Sequence, residues 1–170
     1  MPAGTTTEVI LALDVESRNR AESIIEATGD ELLWIKIGLQ SYLRDGPGFI
    51  HDIAAQGKKV FLDLKLHDIP NTAAHAAGEA VRLGFSMMTL HTLGGLRMLR
   101  AARERADEIA GELGQTPPKL LGVTILTSMD QDELERVGVS GAPDNSVANL
   151  ARLAVEAGLD GVVTSPRELG

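Results

Sequence analysis

The sequence contains no cysteine, which excludes disulfides and thiolate metal sites. Aromatic residues make up only 3% of it, too few for the stacking platforms that hold single-stranded nucleic acids. It has no dense Lys/Arg block, and its formal net charge is −8, which disfavours a general nucleic-acid binder. An acidic chain can still hold an anion through a few local cations and helix N-termini. No apolar run approaches the roughly 20 residues that cross a membrane. The opening MPAGTTTEVI lacks the cationic start and apolar stretch of a secretory signal. The expectation is a cytoplasmic protein with no membrane or nucleic-acid partner.

What is present is ordinary globular material: 170 residues, 44% hydrophobic and 24% charged. That length suits one domain with a substantial core. Six short apolar, β-rich runs stand out: Val9–Asp14, Trp34–Leu39, Val60–Leu66, Met87–His91, Leu120–Leu126 and Gly161–Thr164. They are nearly continuous rather than alternating, the pattern of parallel strands covered on both faces.

Helical segments lie between them. Ser17 is placed to cap a helix running to about Thr28. Gln40–Gln56 follows the second strand, broken near its middle by Gly46-Pro47-Gly48. Pro70–Leu83 begins with proline at a first helical position and ends before Gly84. Gly95–Leu113, Asp130–Val137 and Val147–Ala157 complete the set, the last two separated by a turn-rich stretch, Gly138–Asn145.

Strand alternating with helix gives repeated βαβ units and an α/β fold. The first strand is followed by Val-Glu-Ser rather than a G-x-G-x-x-G loop, which argues against a dinucleotide fold. Polar residues recur where strands end: Asp14, Lys36, Asp63, Lys65, His91 and Thr127. In a (β/α)8 TIM barrel such ends converge on one mouth, so a barrel is favoured. Barrels run to about 250 residues with eight strands. Residues 1–170 are therefore expected to form a single incomplete barrel domain of about six β/α units, with the last two absent.

The most informative segment is Asp63-Leu64-Lys65-Leu66-His67-Asp68-Ile69-Pro70-Asn71-Thr72. Asp63 and Lys65 are two apart on a strand, so their side chains are expected on one face, with Asp68 in the following loop. A lysine held between carboxylates stays protonated. Such a cation can stabilise a developing carbanion and then protonate it. A surface ion-pair cluster is the competing reading, but Asp63 and Lys65 interrupt an apolar strand, where burial of charge is costly.

Other candidates also have structural alternatives. Asp14 could cap the next helix, Lys36 could reach solvent along its stem, and Thr127 could be a turn residue. His91 reads as a hydrogen-bonded structural histidine, His67 and His75 as structural or solvent-facing, and Asn71 as a shaper of its loop. The histidines have no acidic partner at ligand spacing, so a metal site is not expected.

DLKLHDIPNT closely resembles the signature of orotidine 5′-monophosphate decarboxylases, with Leu66 where Phe is common. Leu-Asp at 13–14, Lys-Ile-Gly at 36–38, His91 with Gly94-Gly95, Val-Thr-Ile-Leu-Thr-Ser at 123–128 and Gly-Leu-Asp-Gly-Val-Val at 158–163 match in order, so the resemblance covers essentially the whole chain. It implies a TIM barrel of the ribulose-phosphate-binding type. The implied reaction is decarboxylation of orotidine 5′-monophosphate to UMP in pyrimidine biosynthesis, without metal or organic cofactor.

In that resemblance Lys65 donates the proton to C6 after carbon dioxide leaves. Asp63 sits near the substrate carboxylate and holds Lys65. Lys36 completes the charge network and contacts the ribose, and Asp14 binds ribose hydroxyls. Asp68 and Thr72 reach the neighbouring site of a homodimer, and Thr127 lies at the pyrimidine end. Leu64, Leu66, His67, Ile69, Pro70 and Asn71 join the substrate-binding segment.

The same resemblance places the phosphate grip, with a Gln and an Arg, in elements after the sixth strand. These 170 residues alone are therefore expected to show little or no activity. Two alternatives remain: a magnesium-dependent sugar-phosphate decarboxylase or aldolase of related barrel type, and a non-catalytic barrel fragment.

Overall fold

The computed structural model describes residues 7–139 and 143–165. By contact density the chain divides into two compact units, residues 1–63 with 83–85 and residues 64–82 with 86–170. Among the described residues there are six strands and six α-helices, in the alternation expected from the sequence.

The first unit holds β1 (Ile10–Ala12), α1 (Arg18–Thr28), β2 (Trp34–Gly38), α2 (Leu39–Ala55) and most of β3 (Lys59–Leu66). All pairings are parallel: Ala12 lies beside Lys36, and Gly38 beside Asp63. Trp34, Ile35 and Ile37 of β2 are buried, as are Val60, Phe61 and Leu62 of β3. Phe49, Ile50 and Ile53 of α2 add to that core. Each such side chain contributes about 1.5–3 kcal/mol on burial.

Ser17 is the N-cap of α1 and accepts from the Arg20 amide at 3.3 Å, as the sequence foretold. The break expected in α2 is a kink: Gly46 has φ 67 and ψ −173, and Pro47 restarts the helix behind it.

The second unit holds the end of β3, α3 (Pro70–Arg82), β4 (Met87–His91), α4 (Gly95–Glu112), β5 (Lys119–Val123), α5 (Gln131–Arg136), α6 (Pro143–Glu156) and β6 (Gly161–Val163). A single 3-10 turn, Thr92–Gly94, joins β4 to α4. β4 pairs with β5, and β5 with β6, again in parallel. α3 buries Ala73, Ala77, Gly78 and Ala80 and packs closely on α4. A Cβ on Gly78 would lie 3.3 Å from side-chain carbons of Arg105 and Ile109, so small residues permit this approach. α4 presents Met98, Leu99, Ala102, Ala106 and Ile109 at helical spacing, all fully buried.

Three elements differ from the sequence reading by more than one residue at an end. β1 and β5 are shorter than expected, because apolar character continues beyond the paired backbone. α6 begins at Pro143 rather than Val147. Proline needs no amide partner in a first turn, so residues read as loop are helical. The remainder of the turn-rich stretch, residues 140–142, lies outside the described residues. No helix among the described residues is long and apolar enough to cross a membrane.

Candidate functional site

In the first unit, three strands bring three charged side chains together. Lys36 projects from β2, Asp63 from β3, and Asp14 from the segment just past β1. Lys36 Nζ donates to Asp14 Oδ2 at 3.0 Å and to Asp63 Oδ2 at 3.3 Å. The Lys36 and Asp63 side chains are 20% and 13% exposed, whereas Asp14 is 49% exposed.

Burial is the largest single influence on Lys36 and pushes its pKa down. The hydrogen bonds and charges of Asp14 and Asp63 together outweigh it, so the pKa lies above its ordinary value. The cluster joins one cation to two carboxylates. Its open side is the exposed Asp14 carboxylate, suited to accepting from hydroxyl donors.

The local backbone sets this geometry. The Leu13 amide donates to the Lys36 carbonyl at 3.0 Å, and the buried Ser41 hydroxyl donates to the Leu13 carbonyl at 2.9 Å. These bonds fix the chain immediately before Asp14. A Cβ at Gly38 would lie 2.5 Å from Asp14 Oδ1, so glycine leaves room for that carboxylate. Asp14 is therefore no helix cap: Ser17 holds that position. Lys36 does not simply reach for solvent.

In the second unit the features are different. Lys65 has φ 51, the sole positive value at a non-glycine position among the described residues. Lys65 nonetheless lies within β3, as the sequence reading had it. The Lys65 amide donates to the buried Thr89 hydroxyl at 2.8 Å. The His67 ring stacks on His91 with centroids 5.4 Å apart and planes at 26°.

Burial, then the nearby His67 and Lys65, hold the His91 imidazole below its usual pKa. Its Nδ1 is buried without a hydrogen-bond partner among the described residues, which corrects the expectation of a hydrogen-bonded histidine. His91 is instead packed ring to ring. Asp68 Oδ1 accepts from the Ile69 amide at 2.7 Å, just ahead of α3. Asp68, Ile69, Pro70, Asn71 and Thr72 are all exposed, in the loop and first turn of α3, and Leu64 and Leu66 are half-buried. His75 is exposed on α3. Thr127 is exposed in a turn in which the Met129 amide donates to the Leu126 carbonyl.

Sequence reasoning missed Thr89 and the spatial demand on Gly38. A threonine two residues before His91 on an otherwise apolar strand was the available signal for the first. No group of three His, Cys, Asp or Glu side chains among the described residues is placed to hold a metal ion.

Repeating parallel β/α units with charge at strand ends define an α/β enzyme of the barrel class. Comparison with known proteins narrows this. The model of the orotidine 5′-phosphate decarboxylase / HUMPS family matches residues 7–170, and the chain belongs to that family.

Curated relatives named orotidine 5′-phosphate decarboxylase include one from Carboxydothermus hydrogenoformans, 47% identical over 95% of this chain and 67% of the relative. Another, from Syntrophotalea carbinolica, is 48% identical over 96% of this chain and 67% of the relative. The chain thus spans about two thirds of their length. A crystal structure of orotidine 5′-phosphate decarboxylase from Lactobacillus acidophilus aligns with TM-score 0.86 and 38% identity, covering 95% of this chain and 72% of that one. An uncharacterized conserved protein from Geobacillus kaustophilus aligns with TM-score 0.89 and 40% identity, covering 94% of this chain and 74% of that one. The fold is that of the (β/α)8 barrel, represented here by six strands.

Proposed function

We propose that this chain carries the catalytic strand ends of a cytoplasmic, homodimeric orotidine 5′-monophosphate decarboxylase of pyrimidine biosynthesis. The observation that carries the reading is Lys36 held between Asp14 and Asp63, in a family whose curated relatives bear that enzyme's name.

Lys65 supplies the ammonium that faces the carbanion formed at C6 as carbon dioxide leaves, and then protonates it. Asp63 stands by the substrate carboxylate. Lys36 holds Asp63 and reaches the ribose, and Asp14 accepts from ribose hydroxyls. The exposed Asp68 and Thr72 complete the neighbouring subunit's site, and Thr127 borders the pyrimidine. The chemistry uses no metal or organic cofactor, only fixed charges and binding energy from the rest of the nucleotide.

A polypeptide of these 170 residues alone is expected to turn over little or no substrate, because remote phosphate contacts drive the reacting centre. The test joins this chain to the last third of the Carboxydothermus hydrogenoformans relative and follows UMP and carbon dioxide formed from orotidine 5′-monophosphate. Equal yields, unaffected by EDTA, are the expected result. A requirement for magnesium would favour a sugar-phosphate enzyme of the same family. No product from a folded chimera would favour a non-catalytic role.

A further inference from the structure

Lys65 occupies a left-handed backbone conformation that is unfavourable for a residue with a Cβ. Such a conformation persists only where the surroundings enforce it. Part of those surroundings comes from one strand. β4 carries Thr89 and His91 two residues apart, hence on one face. Thr89 Oγ1 accepts the Lys65 amide at 2.8 Å. The His91 ring stacks on His67, itself two residues beyond Lys65. Two neighbouring grips therefore hold the backbone on both sides of the strained peptide.

The grips have a rigid backing. Thr92, immediately after His91, donates its hydroxyl to the Val123 carbonyl of β5 at 2.7 Å and is fully buried. A Cβ on Gly122 would fall 2.7 Å from Thr92 Cγ2, so glycine there lets the two segments close up. A Cβ on Gly94 would lie 3.3 Å from His67 Cδ2 and closer still to the Met98 side chain, so glycine leaves the stacked ring its space.

We propose that Thr89 and His91 are positioning residues, a two-point clamp that enforces the left-handed backbone of Lys65 and thereby aims its side chain. The significance for catalysis rests on reading Lys65 as the reactive amine; the clamp itself does not. Thr89 works through its hydroxyl as an acceptor, and His91 through the flat face of its ring.

The test uses the whole chain labelled with 13C and 15N. The Lys65 amide–Hα coupling constant and Cα and Cβ shifts report whether φ is positive. Thr89→Val and His91→Ala are each expected to move these signals to extended-backbone values. Thr89→Ser, which restores the acceptor, and His91→Phe, which restores a stacking face, are expected to retain the left-handed signature. Urea denaturation adds a coupling measurement. Thr89→Val is expected to lower the folded-to-unfolded ratio about tenfold. In the Lys65→Gly background, where the strain is absent, the loss is expected to shrink to about threefold or less.

Should Thr89→Val fail to fold, Thr89→Ala and the His91 pair provide the same comparison. A Lys65 that stays left-handed in either Thr89→Val or His91→Ala overturns the clamp, as does an equal stability loss in both backgrounds. None of these readouts requires turnover. An inactive chimera would therefore refute the decarboxylase reading and leave the clamp standing.

Discussion

The two units hold their charged groups in opposite ways. In the first, Asp14, Lys36 and Asp63 fix one another: each carboxylate keeps the ammonium charged, and the ammonium keeps the carboxylates close. In the second, Lys65 is fixed through its backbone by an uncharged hydroxyl and a stacked imidazole pair. A mutual ion network tolerates partial burial because its charges compensate. The hydrogen bond to Thr89 sets the Lys65 main chain without drawing on its amine. The contrast is between side chains placed by mutual charge and a main chain placed by neutral partners.

The sharpest way to break this contrast is Lys65→Ala. It is expected to lower kcat of the chimera by about 10²–10⁴-fold, read as UMP formed. Stability should hold or fall modestly, since Asp14, Lys36 and Asp63 keep their own hydrogen bonds.

Lys36→Ala should instead show mainly as instability, because it removes the ammonium that bridges Asp14 and Asp63. The expected loss is about 1–3 kcal/mol by urea denaturation, discounted for the half-exposed Asp14. If Lys36→Ala proved neutral to stability, the network would be ornamental.

Gly38→Ala sharpens the comparison further. Its new methyl meets the end of the short Asp14 side chain, which can swing aside. KM is expected to rise about tenfold through the lost ribose contact, with the midpoint of thermal unfolding nearly unchanged.

The smallest effect belongs to pH. His91 has a folded pKa below its ordinary value of about 6.5. Above that pH the ring is neutral in both folded and unfolded chains, and its contribution is fully present. As pH falls below it, the unfolded chain takes up the proton first, so stability declines until the lower folded value is passed. His91→Phe is expected to remove that part of the pH slope between roughly 6.5 and the folded value.

Much of this was legible in the sequence because the signals are local. Met87–His91 is a strand with the bounds read from its apolar run, and α3 starts at the proline that announced it. Asp14, Lys36 and Asp63 were marked as polar residues ending apolar strands, a pattern that burial cost makes informative.

What escaped was tertiary. A lysine gives no hint of positive φ, as glycine would, so Lys65 was read as ordinary strand. Thr89 is one more β-branched residue in a strand until its hydroxyl is seen to receive the Lys65 amide. His91 was assigned a hydrogen bond because buried imidazoles usually have one; its stacking on His67 depends on how the end of β3 lies beside β4 within the second unit.

The lack of any cysteine allows the central claim to be tested at a single atom. In the chimera, built on a cysteine-free background, Lys65→Cys is expected to be nearly inactive. Alkylating that thiol with 2-bromoethylamine places an ammonium where the lysine amine stood. Recovery of a substantial part of the UMP-forming rate would bear out a protonated amine at position 65 as the reacting group. Undiminished activity of the Lys65→Cys chimera before alkylation, or none after complete alkylation of a folded protein, would contradict it.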